Sequence, residues 1–456
     1  MSMSIILAAG EGTRMKSDIP KTLHKVCGKE MLKYVIEAAQ NSGIEKNVVI
    51  LGHGKEKVLD NIKNMNVTPV EQPIGENAPY GTGYAVMCAK EYINDEDTVV
   101  ILVGDGPLIR KENLNEFIKY HEKNDYAASV MTAFLDNPKG YGRIVRNEDS
   151  SIMNIIEEKD AQEEIKIIKE INTGIFCFNG KLLKYALDKI DTNNSQNEYY
   201  LTDTVKVLNN EGFKIGGWVL EDATDIKAVN DRVQLAEVTK IMQERINRRL
   251  MLLGVTIIDP EHTYIEDSVK VGRDTVIYPG TILEGKTEIG LNCTIGPNAR
   301  IIDSVLSNNV NVESSKVIKS TIGEGSTVGP FAYLRPDTVL GKNVKIGDFV
   351  EVKKSIIGDN SKSSHLAYIG DAEIGKDVNI GCGVVFVNYD GKHKNKTTVG
   401  DGAFVGSNSN LVAPVNIQQN SYIACGSTIT QEVEEGDLAI ARARQVNKKG
   451  LGKDRY

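Results

Sequence analysis

The sequence predicts a Rossmann-like α/β domain, then a linker helix, then a parallel β-helix. Over the first 230 residues, apolar strand-like runs alternate with helical patterns, as in a mostly parallel sheet covered by helices. Asp231–Leu253 contains no Gly or Pro and carries apolar residues at helical spacing, which predicts one long helix. Beyond it an apolar residue recurs at every sixth position, a period that neither a helix nor an alternating strand produces.

The α/β domain is assigned to residues 1–230, and the linker helix to residues 231–254, because Gly254 is a typical C-terminal stop. The clearest strands of the domain are expected at Ser4–Ala8, Asn47–Leu51 and Thr98–Val103. Its clearest helices are expected at Met31–Ser42, Lys55–Asn64 and Lys111–Lys123.

The β-helix is assigned to residues 255–456, with coils ending at about Val433 and a basic tail after them. The six-residue period is clear at Val271, Ile277 and Leu283. In a β-helix built from hexapeptides, each short strand turns one corner and its apolar side chain points inward. One coil cannot bury that side chain alone, so stability comes from stacking coils.

Composition excludes several classes of protein. The net charge of -8 argues against a nucleic-acid binder, which would show a basic stripe. The apolar run Ile5–Ala9 is too short for a membrane span or a signal sequence, so no stable membrane insertion is expected. The six cysteines show no CxxC pairing, which fits reduced thiols better than disulfides or a zinc site. We therefore expect a cytoplasmic protein.

A glycine-rich segment follows the first predicted strand. Gly10 and Gly12 let the backbone approach a phosphate, and Arg14 and Lys21 supply cations at the same place. The segment is neither a dinucleotide GxGxxG motif nor a Walker A motif. A lone Gly-x-Gly after a strand is usually a tight turn, but the added cations favour phosphate binding.

Asp105 follows the predicted strand Thr98–Val103 directly. In open α/β sheets, ligands bind at the carboxyl ends of the strands. A carboxylate there suits Mg²⁺, which binds through one or two protein oxygens and substrate phosphates. The alternative, a turn or helix-capping Asp before Pro107, has about equal weight from this residue alone.

Interruptions of the six-residue period indicate where function lies in the second half. The phase slips around Ile357 and Ile374, and a polar, basic loop at Asn388–Lys396 replaces roughly two repeat units. His365 precedes this loop. A single His on a repeat surface is more often solvated or structural, but the nearby cations Arg335 and Lys353 favour a catalytic role.

Several short motifs occur in order along nearly the whole chain. They are LAAGEGTRM, Pro20-Lys21, Gly81-Thr82-Gly83, GDGPL, Gly140–Arg143, Glu170–Gly174 and Glu198–Asp203. Together they resemble the bacterial bifunctional N-acetylglucosamine-1-phosphate uridylyltransferase/glucosamine-1-phosphate N-acetyltransferase family. The resemblance implies a nucleotidyltransferase domain joined by a long helix to a left-handed parallel β-helix.

For the first half, the resemblance implies a site for UTP, N-acetylglucosamine 1-phosphate and Mg²⁺. The metal would be held by Asp105 and Asn230. The UDP-N-acetylglucosamine contacts would be Leu7, Ala8, Ala9, Gly10, Arg14, Lys21, Gln72, Gly81, Thr82, Gly142, Glu157, Asn172 and Asn230. The chain departs from the family in its longer Gln72–Gly81 spacing and in Tyr84, where the family has His. The effect of both on nucleotide choice stays open.

For the second half, the resemblance implies transfer of an acetyl group from acetyl-CoA to glucosamine 1-phosphate. His365 would be the general base, a task that suits a group titrating near neutrality. The sugar phosphate would be bound by Arg335, Lys353, Tyr368 and Asn379. Acetyl-CoA would be bound by Cys382, Asn388, Tyr389, Ser407, Cys425 and Arg442, with Asn388 as the preferred oxyanion donor.

The expected protein is thus a bifunctional enzyme that acetylates first and then transfers a uridylyl group. Fold-level analogy with hexapeptide acyltransferases implies a homotrimer with acetyl-transfer sites between subunits, to which the basic tail is a candidate contributor. Two other readings remain. One is a single-activity sugar nucleotidyltransferase whose β-helix only oligomerises, and the other is a non-catalytic regulatory subunit.

Overall fold

A computed structural model describes residues 2–75 and 78–453 of the chain. It divides into two compact units, Met1–Met242 and Gln243–Tyr456. The boundary falls inside a long helix, Arg232–Leu252, which matches the predicted linker helix to within two residues at each end. The division of function into domains at residues 230 and 254 stays a prediction.

The first unit is built on a mixed sheet. Its strands follow the order β11-β7-β10-β6-β1-β4-β5, with β8 and β9 attached beside β10, and β2 and β3 form a separate hairpin. Strands β1, β4, β5 and β6 run parallel, as predicted, whereas β10 is antiparallel to β6 and β7. The strands are β1 (Ser2–Ala8), β2 (Lys25–Val26), β3 (Lys29–Glu30), β4 (Lys46–Leu51), β5 (Thr68–Glu71), β6 (Thr98–Val103), β7 (Ala128–Phe134), β8 (Arg143–Arg146), β9 (Ile152–Ile156), β10 (Glu170–Asn179) and β11 (Ile215–Val219).

Helices cover both faces of this sheet. Successive residues of β1 therefore enter opposite cores: Ile5 packs with Val48, and Ile6 packs with Val49. The three predicted helices are present, with ends that differ by no more than two residues. The helices are α1 (Met31–Asn41), α2 (Lys55–Ile62), α3 (Thr82–Met87), α4 (Lys111–Lys123), α5 (Glu163–Lys166), α6 (Gly180–Leu187), α7 (Asp203–Asn210) and α8 (Arg232–Leu252), with short 3-10 turns at Thr13–Met15, Lys21–Leu23, Lys90–Tyr92 and Ala223–Ile226.

The second unit consists of three stacked parallel sheets, consistent with the expected left-handed β-helix. Face one contains Thr256–Ile257, Val276–Ile277, Thr294–Ile295, Asn311–Val312, Thr327–Val328, Lys345–Asp348, Lys362–His365, Asn379–Ile380, Phe404–Val405, Tyr422–Ile423 and Leu438–Ala439. Face two contains Tyr264–Ile265, Ile282–Glu284, Arg300–Ile302, Lys316–Ile318, Tyr333–Leu334, Glu351–Lys353, Tyr368–Gly370, Val385–Val387, Asn410–Val412 and Thr428–Ile429. Face three contains Lys270–Val271, Glu288–Ile289, Val305–Leu306, Ser320–Ile322, Thr338–Leu340, Ile356–Ile357, Ala372–Ile374, Thr397–Val399 and Val415–Ile417.

The residues of the six-residue period fill the interior of this unit. Ile277, Leu283 and Ile295 are fully buried, and the same holds for nearly every position of the period. Stacking places each inward side chain directly over its counterpart in the next coil, as Ile277 lies beside Ile295. The coils therefore bury apolar surface that no single coil could bury.

The phase slips are a property of one corner and do not by themselves mark a site. The slips at Ile357 and Ile374 arise because the corner from face two to face three is one residue shorter there. The same corner is shortened between Ile301 and Leu306, several coils before His365. The slips therefore do not distinguish the coils around His365 from other coils, and their link to chemistry stays a prediction.

The loop Asn388–Lys396 also lies at this corner, and it replaces no repeat unit. It leaves face two after Val385–Val387 and rejoins face three at Thr397–Val399 of the same coil. The loop closes on itself, because the Asn395 N–H donates to the Asn388 carbonyl oxygen at 2.7 Å. The prediction that it replaces roughly two units was wrong, since a self-closing hairpin can be inserted without losing a coil.

Candidate functional site

A pocket of about 240 Å³ lies where the parallel strands of the first unit end. The loops after β1, β5 and β6 reach this edge, which explains why residues distant in sequence meet there. Nine predicted contacts line it: Leu7, Ala8, Ala9, Gly10, Lys21, Gln72, Gly81, Thr82 and Asp105. Sequence reasoning missed five further lining residues, Thr22, Tyr80, Ala85, Val103 and Glu198.

Two cationic side chains and two side chains with acceptor oxygens meet at one side of this pocket. Lys21 pairs with Asp105, and its ammonium also donates to Asn230 Oδ1 at 2.8 Å. Arg14 donates to the same oxygen at 2.8 Å. A positive group thus lies between the Asp105 carboxylate and the Asn230 amide oxygen, the two predicted metal ligands.

Glycine is required where Lys21 approaches the backbone. Gly12 has a φ of 68°, and a Cβ there would lie 2.6 Å from Lys21 Cβ. Around Gly10 there is open space, with nothing within 4 Å of a Cβ. The segment therefore holds Lys21 on one side and leaves room for a ligand on the other.

The predicted sugar contacts form a second group. A Cβ on Gly142 would lie 3.4 Å from Glu157 Oε2 and 3.5 Å from Asn172 Cβ, so the three residues are neighbours. Thr202 donates a hydrogen bond to Glu157 Oε1 at 3.1 Å. Burial raises the pKa of Glu157. Such a buried carboxyl group has one fixed oxygen and can offer its other oxygen to a polar ligand.

Residues 80–82 are held against residues 199–201. The Gly81 φ is 120°, and a Cβ there would lie 2.3 Å from the Tyr199 carbonyl oxygen. The Thr82 hydroxyl accepts a hydrogen bond from the Leu201 N–H at 3.1 Å. Tyr84, which departs from the family, packs against the Tyr199 ring at 6.3 Å. Part of the longer Gln72–Gly81 loop, residues 76–77, lies outside the described residues.

In the second unit, three cations gather on face two and at the loop beside it. Lys353 lies 3.4 Å from Asp371. Proximity to the Lys353 ammonium lowers the pKa of Lys394. Arg335 pairs with Glu351 at 2.8 Å. The three cations outnumber the two carboxylates. Such an excess of positive charge is typical of an anion-binding site.

Asn388 and Tyr368 border the same cluster. Asn388 is buried and donates to Asp371 Oδ2 at 2.5 Å and to the Tyr368 hydroxyl at 3.4 Å. Asn379 is not part of it, since it lies on face one beside Lys362. Asp371 and Lys394 were missed from the sequence, although Lys394 belongs to the basic loop that was noted.

His365 ends a strand of face one and is largely exposed, with 61% of its side chain accessible. Its Nδ1 lies 2.9 Å from Asp348 Oδ1. The next residue, Leu366, has a left-handed φ of 39°, which turns the chain toward face two. Tyr368 begins the next strand, Tyr368–Gly370, on face two.

Three of the other predicted coenzyme contacts form a column along the corner between faces one and two. Cys382, Ser407 and Cys425 occupy successive coils: the Cys382 carbonyl accepts from Asn408, and the Ser407 carbonyl accepts from Gly426. Arg442 passes over this end, with Cδ 3.9 Å from where a Gly426 Cβ would lie. Tyr389 is exposed in the loop and donates to the Gly391 carbonyl at 2.7 Å. Tyr389 therefore lies at the corner between faces two and three and is not part of that column.

Among the described residues, no cluster of three or more His, Cys, Asp or Glu side chains forms a metal site. Within the same ranges, no helix is long and apolar enough to cross a membrane. All six cysteines lie in the described ranges and are thiols, not disulfides.

Comparison with known proteins identifies relatives along the whole chain. Residues 3–231 match the nucleotidyl transferase family, and residues 259–357 match the family described as the GMPPB C-terminal domain. The bifunctional protein GlmU of Alkaliphilus metalliredigens is 55% identical over 449 residues, covering 98% of this chain and 97% of that protein. The proteins of the same name from Clostridioides difficile and Acetivibrio thermocellus are 54% and 52% identical, each covering 98% of this chain and 96% of the relative.

Proposed function

Since the chain belongs to the family of the bifunctional protein GlmU, we propose that it makes UDP-N-acetylglucosamine in two steps at two sites. The enzyme acetylates glucosamine 1-phosphate with acetyl-CoA. It then transfers a uridylyl group from UTP to N-acetylglucosamine 1-phosphate and releases pyrophosphate. Its six free cysteines support the cytoplasm as its compartment.

Uridylyl transfer is assigned to the pocket of the first unit. An oxygen of the sugar phosphate attacks the α-phosphorus of UTP, and the bond to pyrophosphate breaks. Gly10 and Gly12 bring backbone N–H groups to the phosphates, and Arg14 and Lys21 neutralise charge that develops in the transition state. The attacking phosphate is already an anion, so no protein nucleophile is required.

Asp105 and Asn230 are the residues that we propose to hold Mg²⁺. Both offer oxygen ligands, and the contacts of the Lys21 ammonium with both support a cation site between them. A single carboxylate fits a metal that takes most of its other ligands from phosphates and water. When bound, Mg²⁺ would withdraw charge from the triphosphate.

Acetyl transfer is assigned to the surface around His365. The amine of glucosamine 1-phosphate attacks the thioester carbonyl, a C–N bond forms, and the C–S bond to coenzyme A breaks. His365 accepts the proton of the amine. Arg335 and Lys353, with Lys394 beside them, bind the sugar phosphate. The Asn388 amide, which bonds to Asp371 in the free chain, is the donor that we propose for the oxyanion.

We propose a homotrimer, because one chain leaves this second site open. Phe331, Phe349 and Leu366 form an exposed apolar strip along the corner that ends at His365. The Phe331 and Phe349 rings stack at 5.6 Å. All three residues adopt the left-handed backbone conformation, which is unusual for residues with large apolar side chains. A second copy of the chain would cover the strip and enclose the ligands beside it.

The observation that carries this proposal is the meeting of Gly10, Lys21 and Asp105 in one pocket of a chain whose second unit also carries His365 and a cationic cluster. An omission assay tests it, with glucosamine 1-phosphate, acetyl-CoA, UTP and Mg²⁺. UDP-N-acetylglucosamine is expected only in the complete mixture. If the product forms from N-acetylglucosamine 1-phosphate but never from glucosamine 1-phosphate, the enzyme has only the uridylyl-transfer activity and the proposal is wrong.

A further inference from the structure

Asp348 pairs with His365, although the proposed acetyl transfer assigns no role to Asp348. Oδ1 of Asp348 lies 2.9 Å from Nδ1 of His365. The two residues face each other in register on adjacent strands, Lys345–Asp348 and Lys362–His365. A carboxylate at this distance accepts a hydrogen bond from Nδ1–H, so it selects the tautomer whose Nε2 carries the free lone pair.

The backbone fixes this pair more firmly than most surface ion pairs. The Leu366 N–H donates to the Asp348 carbonyl oxygen at 2.9 Å. A Cβ on Gly347 would lie 2.0 Å from the Ser364 carbonyl oxygen, so the two coils touch there. Asp348 also has a short side chain with little freedom to move. The contact therefore follows from coil stacking and from a turn held in an unusual conformation.

The pair contributes little to folding. Both side chains are substantially exposed, and exposed ion pairs add little to stability because water screens them. Another pair, His262–Asp259 at 2.8 Å, has the same chemistry on the surface of the same unit. Asp259 also accepts hydrogen bonds from two backbone N–H groups of its own turn. Asp259 therefore has a structural role that does not depend on His262. Asp348 has no such local role among the described hydrogen bonds.

We propose that Asp348 is a positioning residue for acetyl transfer. It holds the His365 ring, keeps Nε2 free to take the proton of the sugar amine, and stabilises the imidazolium that forms. This inference rests on the proposed role of His365 as general base. Asp348 itself contacts neither substrate nor coenzyme.

Enzyme kinetics on the full-length protein tests the proposal with four variants. Asp348→Ala should lower kcat for acetyl transfer about tenfold to a hundredfold, as for other groups that orient a catalytic histidine. KM for both substrates should stay nearly unchanged. Asp348→Asn keeps an acceptor oxygen without the charge and should fall between wild type and Asp348→Ala. Asp259→Asn is the matched control and should leave both constants unchanged, while His365→Gln tests the base itself.

Solid-state NMR of protein labelled with 15N-histidine gives a readout besides activity. The His365 signal, identified by its loss in His365→Gln, should show the Nδ1–H tautomer in wild type and lose that preference in Asp348→Ala. Uridylyl transfer in the same samples reports folding. Unchanged kcat and an unchanged tautomer in Asp348→Ala would overturn the inference about Asp348. Full acetyl transfer in His365→Gln would instead overturn the proposed base.

Discussion

The two candidate sites differ in how much of each a single chain forms. In the first unit, loops from one sheet edge surround a pocket, and Gln72 within it is only 3% exposed. In the second unit, His365 lies on an outer surface with most of its side chain in contact with solvent. A twisted sheet with loops at one edge can enclose a ligand, whereas the flat faces of a β-helix cannot. We therefore propose that the first site is complete in one chain and that the second requires the Asn388–Lys396 loop and a neighbouring copy.

The largest expected effect comes from Asp105→Ala. It removes the proposed metal ligand and the partner of Lys21, so uridylyl transfer should fall about a thousandfold or more. Acetyl transfer should be unchanged, because it occurs in the other unit. Pyrophosphate release and coenzyme A release, measured on one preparation, separate the two outcomes. Loss of both activities in a folded protein would contradict the assignment of the two reactions to separate units.

His365→Ala should have the opposite selectivity. Loss of a general base should lower acetyl transfer about a hundredfold to ten-thousandfold. Uridylyl transfer from added N-acetylglucosamine 1-phosphate should continue at the wild-type rate. Formation of free coenzyme A measures the first reaction and UDP-N-acetylglucosamine the second. Equal loss of both would mean that the units are coupled.

Phe331→Asp tests whether the second site needs a neighbouring copy. Asp tolerates the left-handed backbone at this position, but its charge opposes burial of the apolar strip. Acetyl transfer should fall about tenfold or more together with a drop in molecular mass by light scattering. Ile167→Asp, at an even more exposed apolar residue of the first unit, is the control and should change neither quantity.

Gly81→Ala is the smallest perturbation and tests the closure of the first site. The added methyl group would lie 2.3 Å from the Tyr199 carbonyl oxygen, so the segment must shift by several tenths of an ångström. Uridylyl transfer should fall about tenfold through misplacement of the pocket wall. Gly212→Ala shares a positive φ but has nothing within 4 Å, and it should retain full activity. Equal loss in both variants would point to backbone strain alone.

The first site could be predicted largely from sequence, because one rule places its residues. Gly10 and Asp105 each follow a buried parallel strand, and parallel strands end at one edge of the sheet. Tyr80 and Glu198 were missed because they come from loops with no periodic pattern. Their place depends on the packing of residues 199–201 against Gly81, a tertiary contact that spacing does not reveal.

In the second unit, the fold could be predicted from the sequence but the site could not. Its fold follows from the six-residue period, since the buried residues recur where the period places them. Its site does not follow from interruptions of that period, because the shortened corner recurs far from His365. Asp348 and Asp371 could not be recognised either, since acidic residues are common at the corners of this unit. Only the stacking of coils shows that Asp348 faces His365.

The most direct test of the difference between the sites is a dilution series in which molecular mass and both activities are measured on the same samples. Sedimentation equilibrium gives the mass of wild type and of Phe331→Asp at each concentration. Acetyl transfer per chain is expected to fall as trimers dissociate, while uridylyl transfer per chain stays constant. Constant acetyl transfer in a dissociated chain, or a parallel fall of both activities, would contradict the view that only the second site needs a neighbouring copy.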